Sequence, residues 1–105
     1  MSQSSERTVR LPADLHARPA GLLSRTAAGF EAKVTFATLA KEVDARSVLS
    51  VMALGAREGS EVTVRATGRD AQAAVERLSA MLEVITPIEP AAPAQSEDSP
   101  APALD

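Results

Sequence analysis

The sequence predicts an α+β fold, a two-layer open-faced sandwich in the order βαββαβα with a four-stranded antiparallel sheet and three helices on one face. Two observations carry this prediction. Short segments with period-2 alternation are interleaved with segments whose apolar residues recur every three or four positions. The strand-like segments are short and place polar residues on alternate positions, which leaves one sheet face for helices and one for water.

Taken in order, Thr8-Val9-Arg10-Leu11 alternates as a half-buried strand and is stopped by Pro12, whose ring fixes φ and removes a ladder donor. Residues 17–29 read as a helix with Ala20, Leu23, Ala27 and Phe30 at helical spacing and Gly29 at the C-terminal stop. Lys33 to Thr38 alternates again, and Glu42-Val43-Asp44 can pair with it across a tight turn at Leu39-Ala40-Lys41. Ser47 reads as the N-cap of a short helix ending at Gly55. Glu61 to Ala66 is the clearest strand, with Val62, Val64 and Ala66 on one face. Asp70 then caps a last helix whose apolar stripe is Ala71, Ala74, Val75, Leu78, Met81, Leu82 and Ile85. Periodicity leaves the strand order open.

A chain of 105 residues makes one domain, with a modest core and no room for a buried multi-residue catalytic cavity. With no cysteine and a single histidine it has neither a disulfide framework nor a metal-ligand cluster, so no metal or cofactor is expected. The first residues, Met1 to Arg7, lack an apolar signal region, and no apolar run approaches the ~18–20 residues of a membrane span. A cytoplasmic monomer is expected. From Pro87 onward the chain is rich in Pro and Ala, has four acids and has no basic residue, which reads as a disordered tail over residues 87–105. Removing Glu89, Glu97, Asp98 and Asp105 from the 14 acids leaves ten against 11 Lys and Arg, so residues 1–86 carry about +1. This folded part has no basic block and only Phe30 and Phe36 for base stacking, which argues against nucleic acid as a partner.

The chemistry gathers at His16, in the run Asp14-Leu15-His16-Ala17-Arg18-Pro19-Ala20 between the first strand and the first helix. Neutral imidazole is a nucleophile that can take a phosphoryl group and release it again. Pro19 suits the first helical turn, because a missing N–H there leaves no hydrogen bond unmade. His16 then lies at or next to the N-cap. The amides of Ala17 and Arg18 and the guanidinium of Arg18 surround the place where a phosphoryl group on His16 would lie. A helix end contributes roughly 0.3–2 kcal/mol toward an anion and a charged hydrogen bond about 1.5–3 kcal/mol, whereas enzymatic acceleration starts near about 8 kcal/mol. The residues therefore describe a carrier that depends on partner enzymes, not an enzyme.

The run from Leu15 to Ala20 resembles the active-site motif of the HPr family, the histidine-phosphorylated carriers of the bacterial phosphotransferase system, which reads Gly-[apolar]-His-Ala-Arg-Pro-Ala. The resemblance extends from about Val9 to Leu82, because the family's fold has the same element order. It implies an HPr-like domain over residues 1–86 in which His16 Nδ1 receives a phosphoryl group from phospho-enzyme I and passes it to IIA components of sugar transporters. Ala17 and Arg18 are the implied phosphate holders. A regulatory binding module, acting on kinases or transcription regulators, is the alternative.

Arg46-Ser47-Val48-Leu49-Ser50-Val51-Met52-Ala53-Leu54-Gly55 places Val48, Leu49 and Met52 on one side of a short helix and Val51 and Leu54 on another. By spacing alone both sides are expected in the core. The segment is similar to the family's Lys-Ser-Ile-Met-Gly-Val-Met-Ser-Leu-Gly, which implies instead that Val48, Leu49 and Met52 are an exposed docking surface. It also aligns Ser47 with a serine that HPr kinase/phosphorylase modifies in many members, although serine is a favoured N-cap in any helix. The sequence departs from the family at Ala13, where a polar residue is common, at Asp14, where glycine is usual, and at Ala40, in place of an Asn-Gly turn. Asp14 either opposes a phosphoryl dianion on His16 or turns away to cap the loop.

Overall fold

A computed structural model describes residues 3–87. The elements are β1 (Ser4–Arg10), α1 (Ala17–Ala28), β2 (Lys33–Ala37), β3 (Glu42–Asp44), α2 (Val48–Ala53), β4 (Glu61–Thr67) and α3 (Ala71–Glu83). This is the expected βαββαβα order. The predicted tail lies outside the described residues, except for Pro87.

The sheet is antiparallel throughout, in the order β1-β4-β2-β3. Its inner face is built by alternate residues: Val9 from β1, Val34 and Phe36 from β2, and Val62, Val64 and Ala66 from β4, all buried. The helices close over that face with Ala20, Leu23 and Ala27 of α1, Val51 of α2, and Ala71, Ala74, Val75, Leu78 and Leu82 of α3. The outer face is polar. Thr8 and Thr63 share a 2.8 Å hydroxyl contact, and Arg65 donates to Glu6 at 3.1 Å and to Glu42 at 3.0 Å, lacing three strands together. These ion pairs are about half exposed, so each contributes roughly 0–1 kcal/mol.

The structure corrects the sequence reading of β1 and of Asp70. β1 begins at Ser4, well before Thr8, and Leu11 lies beyond the strand. Ser4 to Arg7 sit on an edge strand with exposed or half-exposed side chains, so no apolar alternation marks them. Asp70 occupies the N-cap position of α3, yet its side chain makes no capping hydrogen bond. Its carboxylate instead accepts from the amides of Glu31 at 2.9 Å and Ala32 at 2.7 Å, pinning the α1–β2 connection to the start of α3. The Glu31 amide, reinforced by those of Ala32 and Asp70 itself and by Arg69, holds the Asp70 carboxyl below its ordinary value of 3.8. Gly68 completes this junction. It has φ +139°, and a Cβ there would lie 2.9 Å from Ala32 Cα.

Two predictions follow from the junction. A depressed carboxyl stabilises the fold above its unfolded value and loses that contribution as pH falls through the folded value. Asp70→Asn is therefore expected to melt below the wild type at pH 7, and acidification below 3.8 should close the gap; equal melting temperatures at pH 7 would contradict the bonds to Glu31 and Ala32. Gly68→Ala, strained in backbone and contact alike, is expected to lose about 1–3 kcal/mol in urea denaturation.

Candidate functional site

Alternation continues past β1 into the loop that carries His16. Leu11, Ala13 and Leu15 are buried, while Pro12 and Asp14 are exposed and His16 is half-buried. The loop is fastened to the turn before β4. Leu11 N–H donates to Ser60 at 2.9 Å, Gly59 N–H donates to Leu11 at 2.9 Å, and Leu15 N–H donates to Ala56 at 3.0 Å. Asp14 adds a fourth tie, its Oδ1 accepting from the amide of Glu58 at 2.8 Å. The Asp14 carboxylate thus caps the neighbouring loop.

His16 is the N-cap of α1, with φ −102° and ψ −174° and no capping bond from its ring. The ring turns instead toward the segment that follows α3, where Nε2 lies 3.2 Å from the carbonyl oxygen of Thr86. Its carbonyl accepts from Ala20 at 3.1 Å, closing the first helical turn around Pro19. Among the described residues, neither the amides of Ala17 and Arg18 nor the exposed Arg18 guanidinium has a hydrogen-bond partner. His16 and Arg18 share a groove of about 250 Å³, walled on one side by Pro19 and Leu22 of α1 and on the other by Met81, Val84 and Ile85. A nucleophilic nitrogen, two open amides and an unengaged guanidinium thus meet at one helix end, an arrangement that can receive an anionic group and hold it.

The α2 helix resolves its two apolar sides. Val51 and Leu54 are buried, whereas Leu49 is 80% exposed and Val48 and Met52 are 38% and 41% exposed. The spacing-based expectation that both sides enter the core fails, because a helix of six residues laid on one layer presents only one side to it. Ser47 caps α2, its Oγ accepting from Ser50 N–H at 3.2 Å. Lys41 closes the other end by donating from Nζ to the carbonyl of Ala53 at 3.1 Å.

Sequence reasoning missed Thr86. Its contribution is a main-chain carbonyl, which every residue type possesses, so no residue pattern could have marked it.

A family profile described as the PTS HPr component phosphorylation site matches residues 3–84. The multiphosphoryl transfer protein of Xanthomonas campestris is 37% identical over 86 residues, covering 82% of this chain and 10% of that much longer protein. The phosphocarrier protein HPr of Chlamydia muridarum is 39% identical over 71 residues, 68% of each chain. The crystal structure of a phosphocarrier protein HPr from Bacillus anthracis superposes with a TM-score of 0.71 at 33% identity, covering 76% of this chain and 98% of that one.

The bond from Glu58 to Asp14 gives this site its own test. Asp14→Gly is expected to lower stability by about 1 kcal/mol and to speed hydrogen exchange at the Glu58 amide; unchanged exchange there would show that the carboxylate does not hold it.

Proposed function

Because the chain belongs to the HPr family of phosphocarriers, we propose that it accepts a phosphoryl group on His16 Nδ1 from phospho-enzyme I and passes it to IIA components of the phosphoenolpyruvate-dependent sugar phosphotransferase system. The single observation that supports this most is the cluster at the α1 N-terminus, where His16 adjoins the open amides of Ala17 and Arg18 and the unengaged Arg18 guanidinium. In the transfer, the Nδ1 lone pair forms a bond to phosphorus as the bond from phosphorus to the donor nitrogen breaks, and the electron pair returns to the donor. Ala17, Arg18 and the helix dipole then hold the dianion. The exposed Val48, Leu49 and Met52 supply the apolar surface on which the partners dock.

On this reading residues 1–86 are the carrier domain of a cytoplasmic monomer. A second, regulatory reading draws support from Ser47, which stands at the N-cap of the same helix that presents Leu49. A phosphate on Ser47 would place a dianion beside the docking surface, favourable to the helix end and unfavourable to an apolar interface. HPr kinase/phosphorylase would be the partner for that step.

Incubation with enzyme I and phosphoenolpyruvate is expected to give an acid-labile, alkali-stable phosphoryl adduct that His16→Ala abolishes. Equal labelling of wild type and His16→Ala would overturn the assignment. Arg18→Ala should slow acceptance by about 10- to 100-fold, the equivalent of one charge-assisted hydrogen bond. Leu49→Asp should weaken acceptance through KM with little change in the folded structure.

A further inference from the structure

The chain does not end its fold with α3. After Glu83 it turns back, with Val84 N–H donating to Met81 at 3.3 Å and Ile85 nearly buried, and this carries Thr86 to the active-centre ring. We propose that the main-chain carbonyl of Thr86 is a positioning group for His16, selecting the ring nitrogen that attacks. This rests on the carrier reading given above.

A carbonyl oxygen can only accept, so the ring nitrogen 3.2 Å from it, Nε2, carries the hydrogen. A neutral imidazole has a single N–H, so Nδ1 is left with the lone pair. The tie spans 70 positions of sequence and is made by a short strap anchored through Ile85, which is 7% exposed. Among the described residues this is the one hydrogen bond the ring makes, and it forms none to its own helix. During transfer the bond from Nδ1 to phosphorus forms while Nε2 keeps its proton, now on a positively charged ring. The Thr86 carbonyl dipole faces that proton throughout. It therefore fixes the tautomer before the reaction and the ring orientation during it, at no cost in reorganisation.

The proposal makes Thr86 the residue to leave chemically alone and Ile85 the residue to perturb. Nitrogen-15 spectra of the His16 ring, recorded on the full chain at a pH where the imidazole is neutral, should show the proton on Nε2. Ile85→Gly, which frees the strap, should give averaged signals from both tautomers and slow acceptance about fivefold. Backbone amide spectra would establish that Ile85→Gly retains the fold; if it does not, Ile85→Ala serves in its place. Either a proton on Nδ1 in the wild type or a His16 spectrum indifferent to release of the strap would overturn the positioning role. The spectra need no phosphoryl donor. A wild type that shows the Nε2–H tautomer but accepts no phosphoryl group would remove the carrier reading and leave the contact to Thr86 standing.

Discussion

The structure hangs on the seam between β1 and β4. Strand pairing from Ser4 with Thr67 to Arg10 with Glu61 continues past the strand ends, through Leu11, Leu15 and Asp14, into bonds with Ala56, Glu58, Gly59 and Ser60. A backbone that is no longer a strand thus keeps the strand's discipline. Leu11, Ala13 and Leu15 stay inward, which obliges His16 to emerge at the rim, just where α1 begins. If this seam slipped by one residue, the buried and exposed sets would exchange places and the imidazole would turn to the core.

The fold leaves two kinds of open surface, and each comes from a different economy of burial. The anion side consists of groups the fold does not use: the first amides of α1 have no earlier turn to bond to, and Pro19 removes the one donor that would compete. The apolar side exists because α2 is too apolar for its position. Only Val51 and Leu54 reach the core, and the remainder lies open, with Ser47 and Lys41 fastening the two ends of so short a helix. Both surfaces are local unsatisfied capacity held in place by a satisfied core.

Much of this was legible in the residues. The element order followed from alternating periods, and the Leu15 to Ala20 run pointed to His16 as the candidate nucleophile. The spacing of Val48, Leu49 and Met52 against Val51 and Leu54 divided α2 correctly into two sides, but which side faces inward depends on the layer beneath, which spacing does not encode. Asp70 carried a sound capping signal and was drawn instead to the amides of Glu31 and Ala32, because tertiary donors outcompeted the helix's own. The place of β4 between β1 and β2 joins residues far apart in sequence and left no local trace. Asp14 was readable as an anomaly, and only the position of Glu58 showed where its charge is directed.

The order of β1-β4-β2-β3 also bears on how the protein comes into being. β1 is made first but has β4 as its sole neighbour, so the opening strand must wait until Thr67 has been synthesised before its edge can be paired. The ties that aim His16 wait for residues 56–60, and the carbonyl that meets its ring waits for Thr86. Although His16 lies in the first fifth of the chain, its ring is met only by the end of the described fold. A nascent chain therefore carries the histidine long before it carries the acceptor.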